Sequence, residues 1–503
     1  MSGFDALGLR NRRSVPWAAV PRETQDSFRE TVLAAVGDGW RLISFFGLPE
    51  GPMESRLVAI LAHDGTGSLG ATSTIVGAGF ESLTPMCPAA HLFEREIAEQ
   101  CGVFPHGHPW LKPLRRHPPD HLPPGREPFT VDRDAYPFFR VKGEEVHEVA
   151  VGPVHAGIIE PGHFRFQSHG EEVLFLEIML GYQHRGVERL LETASADRAV
   201  LVAEAIAGDT VIGHAAAHCG AIEALARSRK TPRAQAIRGI ALELERLSNH
   251  IGDLGAIAGD VAFQPGASYF GRMRGECLNL LMTISGNRYG RGLLRPGGVL
   301  FDLPPAMVSE ARGRLERLQA ELEPAARILL ESPSVLGRLE GVGGVLREKC
   351  LELGFVGIVA RACDVPRDVR HDHPYGIYRF AHIPVATAWA GDVLARALVR
   401  WLEIQRSLEF VLEELSALPA GAPRVACGAL QPDELVVAME EGWRGEIVHV
   451  AITDSRGELR RYKVTDPSFH NWTALALAMP GNQISDFPLC NKSFNLSYAG
   501  HDL

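Results

Sequence analysis

Helical periodicity governs the middle of the chain, from about Val187 to Ala417. Residues 241–263 and 304–331 carry apolar side chains at positions i, i+3 and i+4, the spacing that lines one face of an α-helix. Charged residues fill the other face of 308–323, and we interpret them as solvent-exposed helix surface. The pattern predicts a large, mainly helical part. Strand patterns on both sides of it make α+β the expected fold class.

These strand patterns lie at the entry to the helical part and beyond its end. HFRFQSH (163–169) and EEVLFLEIML (171–180) flank Gly170-Glu171, which predicts a β-hairpin at the entry to the helices. Towards the C-terminus, residues 446–466 read as two strands joined by a turn. We therefore expect the C-terminal part to be rich in β-structure.

The N-terminal region shows a pattern of its own. A helical stretch at 24–39 precedes strand-like runs at 40–48 and 55–63, and a second helical pattern covers 89–103. The proline-rich residues that follow indicate a linker that wraps around other parts of the chain and forms no domain of its own. We therefore expect three units: a small α+β domain at 1–111, a proline-rich linker at 112–140 and a large domain at 141–503.

Composition argues against several classes of function. The formal net charge of −10 gives no reason to expect nucleic acid as a partner. No run of about 18 apolar residues is present, so we expect no membrane-spanning helix. The N-terminal segment lacks the apolar core of a signal peptide, so we expect no export. The eight cysteines are scattered and form no CxxC pair. They predict free thiols in a reducing compartment, and no zinc ribbon or iron–sulfur cluster held by this chain alone.

Several blocks along the chain resemble known families. ESLTPMCPAAHLFEREIAEQCGVFPHGHPWL (81–111) resembles the signature of the 30-kDa subunit of respiratory complex I. Further collinear blocks resemble the 49-kDa subunit of complex I and the large subunit of energy-converting nickel–iron hydrogenases. They are 151–166, 181–192, 243–256, 285–298 and 360–378. A fusion of both modules is similar to the large-subunit family of formate hydrogenlyase and hydrogenase-4 complexes, which implies a subunit of an oxidoreductase.

The resemblance implies a metal centre whose ligands are missing from this chain. In the hydrogenases, a segment like ERICGICSxxH and a C-terminal DPCxxC supply the cysteines that hold nickel and iron, metals that thiolates suit. Here EAIAGDTVIGH (204–214) has Ala207 and Thr210 at the cysteine positions, and Ser497 and Gly500 fall at the C-terminal pair. We therefore expect no nickel–iron centre, no covalently bound cofactor and no C-terminal extension for a maturation protease to remove.

In complex I, the cavity left by the lost metal became the head-group site for quinone, so the resemblance implies quinone as a candidate ligand. His155 matches the first histidine of the family's loop, whereas Ile159 stands at the second, which binds quinone. The tyrosine that hydrogen-bonds the quinone carbonyl falls at Gly208. Asp260 matches its supporting aspartate, and Asp253 lies seven residues earlier on the same helix face. The candidate catalytic residues are therefore His155, Asp253 and Asp260, and the candidate cofactor-binding residues are Arg185, His184, Gly208 and His214.

Arg185 follows the hairpin and precedes a helix, inside the block GYQHRGVERLLE. It matches the arginine beside the terminal iron–sulfur cluster of the partner subunit in the family. The histidine near that cluster falls on Gly290, so this part of the family's pattern is missing. The alternative is an ordinary surface ion pair. The position of Arg185 within the matched block favours the role beside the cluster.

Two further sets of residues raise the question of a metal. His214 and His218 in HAAAH lie at i and i+4, a spacing compatible with metal binding. No carboxylate lies near them on that helix face, so packing or ordinary hydrogen bonding is the favoured interpretation. Glu160 matches a magnesium-binding glutamate of many nickel–iron hydrogenases. Its histidine partner falls at Leu503, which leaves only His501 as a substitute.

Two hypotheses on function remain, and a hydrogen-evolving hydrogenase is disfavoured. In the first, the chain lies on the cytoplasmic side of the cell membrane and forms the cavity where electrons from a partner's iron–sulfur cluster reach quinone or another small acceptor. In the second, the cavity is collapsed and the chain is only a structural link between integral membrane subunits and a dehydrogenase module. For Asp253 and Asp260, structural pairing with an arginine such as Arg288 is the alternative to a role in proton transfer. The apolar run 213–225 is interpreted as a surface that a partner covers. The sequence names neither the electron donor nor the acceptor.

Overall fold

The computed structural model describes residues 7–116, 118–129, 136–157 and 159–503. The start of the predicted N-terminal domain and residues 117 and 130–135 of the predicted linker lie outside them. Helices dominate the middle of the chain and small sheets lie before and after them, so the predicted α+β class is confirmed.

The N-terminal part is built on a four-stranded sheet. Its strands stand in the order β2-β5-β4-β3, with antiparallel pairs except for a parallel β2–β5 contact. The elements of this part are β1 (Val15–Pro16), β2 (Arg22–Glu23), α1 (Gln25–Gly37), β3 (Arg41–Gly51), β4 (Glu54–His63), β5 (Ser68–Val76), β6 (Gly79–Glu81), α2 (His91–Cys101) and β7 (Phe104–His106). The buried Phe93 and Ile97 join α2 to the apolar core of this sheet.

The proline-rich segment wraps across the large part of the chain. Among the described residues between 107 and 145, no helix or strand forms. Lys112 Nζ lies 2.5 Å from Glu177 Oε1, and Arg115 Nε donates to the carbonyl of His501 at 2.9 Å. The segment therefore joins the N-terminal part to the last residues of the chain, although the division at 111 and 140 stays a prediction.

The predicted hairpin forms and gains a third strand. β8 (Val146–Val151), β9 (His163–His169) and β10 (Glu172–Met179) make an antiparallel sheet in the order β10-β9-β8. The end of β10 leads into the loop that carries His184 and Arg185.

The helical part centres on one long buried helix. α6 packs against α7 and α13, and Leu244, Leu247 and Ile251 in its central part lie in the main apolar core. The helices are α3 (Val187–Thr193), α4 (Ala196–Ala203), α5 (Val211–Leu225), α6 (Pro232–Asp260), α7 (Gln264–Ser285), α8 (Pro305–Glu331), α9 (Pro333–Leu339), α10 (Arg347–Leu353), α11 (Gly357–Ala362), α12 (Val369–Asp372) and α13 (Val393–Ser416), with a small ladder of β11 (Leu294–Arg295) and β12 (Gly298–Val299).

The C-terminal part contains a second four-stranded sheet, in the order β1-β13-β14-β15. Val15 near the start of the chain pairs with Leu435, so the N-terminal segment completes this sheet. The elements are β13 (Glu434–Gly442), β14 (Gly445–Thr453), β15 (Leu459–Thr465), α14 (Pro467–Ala478), α15 (Phe487–Phe494) and α16 (Tyr498–Asp502).

The apolar run 213–225 does not form an outer surface. It lies in α5, whose residues are almost all buried against β13, β14 and α6. The interpretation of this run as a face covered by a partner is therefore wrong, because a helix that is apolar on all sides is one that a core encloses. Within the described residues, no helix combines the length and the apolar character that a membrane crossing requires.

Candidate functional site

Two short segments meet at the position where the resemblance implies a metal centre. One is the loop 204–210 between α4 and α5, and the other is the C-terminal stretch 495–503. Arg185 connects them: its guanidinium donates to the carbonyls of Ala205 at 2.5 Å, Ile206 at 2.8 Å and Ala499 at 2.9 Å. No carboxylate of the described chain lies within ion-pair distance of this side chain, so it is a strut between carbonyls rather than half of a surface ion pair.

The residues around Arg185 fix the last turn of the chain. The backbone N–H of Arg185 donates to the carbonyl of Leu503 at 2.6 Å, and the ring of His184 lies 2.7 Å from the carbonyl oxygen of Asp502. The Asp502 carboxylate accepts from the N–H groups of Gly181 and Gln183 at 2.8 and 2.9 Å. The entry loop and α16 therefore form one hydrogen-bonded unit.

A buried arginine holds the other side of the loop. Arg444 donates to both carboxylate oxygens of Asp209, at 2.6 and 2.8 Å, and to Thr210 Oγ1 at 3.0 Å. Its Nε donates to the carbonyl of Asn495 at 2.5 Å, and its guanidinium carbon lies 3.9 Å from the centre of the Trp443 ring. Burial opposes the charge, but Asp209 outweighs it and raises the pKa of Arg444. Arg444 is thus a second strut between the two segments.

The four positions that carry thiolates in the hydrogenases are filled differently here. Ala207 is buried and has only a methyl group, and Thr210 Oγ1 is engaged by Arg444. Ser497 Oγ accepts the N–H of Gly500 at 2.9 Å, so it caps α16. A Cβ at Gly500 would lie only 2.7–2.9 Å from the carboxyl group of Asp466.

These four residues do not fit a nickel–iron centre. A methyl, a bonded hydroxyl, a capping hydroxyl and a glycine supply no soft ligand. The carboxyl group of Asp466 takes the space that a cysteine would need at Gly500. Across the described ranges, no group of three or more His, Cys, Asp or Glu side chains is arranged to hold a metal ion.

His214, which the resemblance placed at a cofactor, lies behind this position. Its Nε2 is 2.9 Å from Asp466 Oδ2, and its Nδ1 is 3.1 Å from His449 Nε2. The carboxylate that is absent from its own helix face therefore comes from the N-cap of α14. His218 goes to a different partner, since its Nδ1 lies 3.0 Å from Tyr462 Oη. The two histidines therefore have hydrogen-bonding partners, in line with the favoured interpretation.

The three predicted catalytic residues do not converge. Asp253 is buried and accepts from Arg400 Nε at 2.7 Å and from Asn495 Nδ2 at 2.6 Å. Asp260 is exposed at the end of α6, where partial burial raises its pKa and Lys492 opposes the rise. His155 Nε2 lies 2.9 Å from the carbonyl of Gly162, within its own loop. The structure therefore gives Asp253 and His155 partners that hold backbone and helices together.

Arg288 is not the partner of either aspartate. Its guanidinium carbon lies 4.8 Å from the centre of the Tyr289 ring, and Asp253 pairs with Arg400 instead. Asp253 therefore has an arginine partner, Arg400 in place of Arg288, and its catalytic role stays a prediction. The reason for this partner is that the buried face of α6 meets α13, which carries Arg400.

Glu160 and His501 do not form a magnesium pair. Glu160 Oε2 accepts from the N–H of Tyr498 at 3.3 Å, and burial raises its pKa. His501 is buried, with Nδ1 at 2.9 Å from Asp502 Oδ1 and its ring stacked on Phe469.

Gly208, a predicted cofactor-binding position, is exposed, and no atom lies within 4 Å of the place where a Cβ of this residue would be. It therefore leaves open space beside the loop 204–210.

Sequence reasoning missed the residues that dominate this region. Arg444, His449, Tyr462 and Asp466 all come from β14, β15 and their ends. One signal was present: His449 and Tyr462 lie in two neighbouring runs, within 446–466, that the sequence predicts as strands joined by a turn. Because adjacent strands place alternate residues on one face, this spacing could have indicated a common cluster.

Comparison with known proteins supports the family. Residues 260–429 match the model of the respiratory-chain NADH dehydrogenase 49 Kd subunit, and residues 71–135 match that of the 30 Kd subunit. Formate hydrogenlyase subunit 5 of Escherichia coli is 30% identical over 438 residues, which cover 84% of this chain and 77% of that protein.

Relatives of two further kinds cover the large part of the chain. A carbon monoxide-induced hydrogenase of Rhodospirillum rubrum is 30% identical over 69% of this chain and 97% of its own length. NADH-quinone oxidoreductase subunit 4 of Thermus thermophilus is 31% identical over 68% of this chain and 90% of its own length. The chain therefore belongs to the complex I-related hydrogenase family, as a fusion of 30-kDa-type and 49-kDa-type modules.

Proposed function

We propose that the chain is the non-hydrogenase large subunit of a membrane-associated, complex I-related oxidoreductase. An iron–sulfur subunit would dock beside Arg185 and Gly208, and this chain would form one wall of the cavity where electrons reach a quinone or another small acceptor. Integral membrane subunits and a dehydrogenase module would complete the complex on the cytoplasmic side of the membrane. The observation that supports the proposal is the combination of two features: Arg185 joins the two segments, and no cysteine stands at positions 207, 210, 497 or 500.

Two features of the chain suit this role. The Arg185 side chain is exposed next to the loop 204–210, and an arginine stays charged even where burial lowers its pKa, as here. A positive charge at the docking face stabilises the reduced, more negative form of a neighbouring cluster. Gly208 provides space for an acceptor but no hydroxyl, so a carbonyl of quinone would need a donor other than the family's tyrosine.

A second candidate, a purely structural subunit, is favoured by the packing of the lost ligand positions. Ala207, Thr210 and Ser497 are each at most 2% exposed, so the chain itself fills the centre of the former metal site. In this case the acceptor cavity would be collapsed. The complex would then need the chain for assembly and not for electron transfer.

The experiment that separates the two candidates uses the purified complex. We expect reduction of decylubiquinone by reduced methyl viologen, measured above the uncatalysed rate, and we expect Gly208→Trp to abolish most of it. Gly77→Trp is the matched control, because Gly77 is also exposed with no atom within 4 Å of a Cβ. Assembly of the complex without any quinone reduction would support the structural candidate instead.

A further inference from the structure

A continuous chain of hydrogen-bonded side chains runs through the interior from the lost ligand position. Asp466 Oδ2 lies 2.9 Å from His214 Nε2, and His214 Nδ1 lies 3.1 Å from His449 Nε2. His449 Nδ1 is 2.8 Å from Tyr462 Oη, which is 3.0 Å from His218 Nδ1. We call these five side chains the histidine relay. Every ring nitrogen between its two ends faces the next member.

The relay is sealed from solvent along its length. None of its members is more than 1% exposed. Burial lowers the pKa of His218 to about 4, and burial with the two neighbouring histidines holds the pKa of His449 well below its usual range. Burial also raises the pKa of the Tyr462 hydroxyl. These three groups are therefore neutral at pH 7, and each can both donate and accept a proton.

In the resting state, the hydrogen bonds all point towards Asp466. An ionised Asp466 accepts from His214 Nε2–H, which leaves His214 Nδ1 to accept from His449 Nε2–H. His449 Nδ1 then accepts from the Tyr462 hydroxyl, whose oxygen accepts from His218 Nδ1–H. This assignment gives each neutral ring one proton and satisfies every contact in the relay.

One added proton reverses the direction of these hydrogen bonds. It binds His218 Nε2, and His218 passes its Nδ1 proton to the Tyr462 oxygen. Tyr462 passes its own proton to His449 Nδ1, and His449 passes its Nε2 proton to His214 Nδ1. His214 then carries both ring protons, opposite the Asp466 carboxylate. Each intermediate group ends neutral, so one positive charge has moved from His218 to the ion pair of His214 and Asp466.

One end of the relay lies at a cavity, and the other end lies beside Gly500. His218 lines a cavity of about 750 Å³, which also has Asp197, Arg424 and Cys427 on its wall. Asp466 lies where the thiolate at position 500 would be, with its carboxyl 2.7–2.9 Å from a Cβ built on Gly500. The cavity can supply water, and the other end reaches the segment that the family uses for chemistry.

We propose that the histidine relay conducts protons from the cavity at His218 to Asp466, at the position of the lost cysteine. Its use in catalysis rests on the proposed function, since a quinone takes up two protons with the two electrons that reduce it. In this scheme, the doubly protonated His214 passes its Nε2 proton to Asp466 Oδ2, which lies 2.9 Å away, and Asp466 then donates that proton to the acceptor and becomes a carboxylate again. His449 and Tyr462 act only by passing protons on.

The first test compares two tyrosines in the purified complex. Tyr462→Phe removes the hydroxyl that joins His449 to His218, and we expect it to slow decylubiquinone reduction on the order of tenfold and to raise the solvent deuterium isotope effect. Tyr378→Phe is the matched control, because Tyr378 is also buried and donates only to Glu243, at 2.7 Å. If wild type is active and the two variants behave alike, the relay is overturned while the proposed function stands.

Chemical rescue tests the entrance. His218→Gly removes the proton acceptor at the cavity wall, and we expect added imidazole to restore most of the lost turnover by occupying that space. His250→Gly is the control, because His250 is buried with Glu403 and is not in contact with the cavity. Failure of imidazole to restore His218→Gly would count against entry through this cavity.

A further measurement needs no acceptor and decides the relay even if the complex reduces no quinone. In the full chain labelled with ¹⁵N-histidine, exchange of the His214 ring N–H with D₂O is followed by NMR. The relay predicts exchange within the observation time in spite of burial, slowed on the order of tenfold by Tyr462→Phe and unaffected by Tyr378→Phe. Equal exchange rates in all three proteins would overturn the proposal.

Discussion

The carboxyl group of Asp466 lies against Gly500, at 2.7–2.9 Å from the point where a Cβ of residue 500 would be. Asp466 is itself fixed, by His214 on one side and by the N–H of Ser468 on the other, at 2.7 Å. The glycine and the aspartate are therefore complementary, because a side chain at position 500 would require the Asp466 carboxyl group to move.

We expect Gly500→Cys to lower the free energy of unfolding by about 1–3 kcal/mol, the range for overpacking a close-packed interior. The measurement is urea unfolding of the purified complex with a probe on this chain. Gly208→Cys serves as its control, because a Cβ there meets no atom within 4 Å. Equal stability of the two variants would show that Asp466 moves aside freely.

The purified complex is expected to contain no nickel in this chain. The reason is that Ala207, Thr210, Ser497 and Gly500 supply no thiolate, and the eight cysteines of the sequence lie elsewhere. Elemental analysis by mass spectrometry checks this. Nickel in a one-to-one ratio to the chain would contradict it.

Arg444→Met should destabilise the loop 204–210 strongly. It breaks the bidentate contact with Asp209 and leaves the carbonyl of Asn495 without this donor. Loss of a buried pair costs about 3–5 kcal/mol, but the Asp209 side chain is 33% exposed, so we expect about 2–3 kcal/mol. Arg456→Met is the control, since the Arg456 side chain is 73% exposed and should change the free energy of unfolding little.

Arg185→Met should lower the midpoint potential of the partner's cluster. One charge at roughly 6 Å with an effective dielectric of about 20 is worth about 3 kcal/mol, and solvent screening reduces the shift to tens of millivolts. Arg185→Lys should shift the potential less, because the charge remains. Redox titration of the cluster by electron paramagnetic resonance measures both. An unchanged potential in an assembled Arg185→Met complex would limit this residue to its contacts with Ala205, Ile206 and Ala499.

Stability should fall as the pH drops from about 6.5 towards 4. Burial lowers the pKa of His470 to about 4, so between these values the unfolded chain binds a proton that the folded chain excludes. One such histidine contributes up to about 3 kcal/mol, which is fully present above pH 6.5 and lost at low pH. We expect His470→Gln to flatten the dependence of the melting temperature on pH in this window. His147→Gln, at an exposed position, should leave the slope as in wild type.

Local patterns in the sequence predict most of the long helices and the entry hairpin. The helices α6 and α8 were predicted because their apolar periodicity extends over many turns, and the hairpin of β9 and β10 because its turn lies between two apolar runs. Strand β13 was missed. It reads ELVVAMEEG, and its last charged residues are buried because Arg12 and Arg361 come from distant parts of the chain to pair with Glu440 and Glu441.

The candidate site also contains residues that the sequence could identify and residues that it could not. Arg185 could be identified because its block is contiguous in the sequence. The histidine relay could not be identified as a whole, since only its contact between His449 and Tyr462 lies within one pair of predicted strands. The contacts that join the relay to α5 connect residues 235, 244 and 252 positions apart, and no spacing along the chain encodes them. The separation of 252 positions also explains why the sequence shows no carboxylate near His214, because its partner Asp466 belongs to the N-cap of α14.

The pairing of β1 with β13 also determines when the C-terminal sheet can be completed during synthesis. Val15 finds its partner Leu435 only after another 420 positions have been added, the difference between the two numbers. At roughly 5–20 residues per second, the ribosome needs about 20–80 s to deliver that partner. During this interval the first strand waits with its backbone groups unpaired, and the sheet that carries His449 and Tyr462 cannot close. The nascent protein is therefore expected to depend on chaperones that hold its amino-terminal segment until Leu435 has been synthesised.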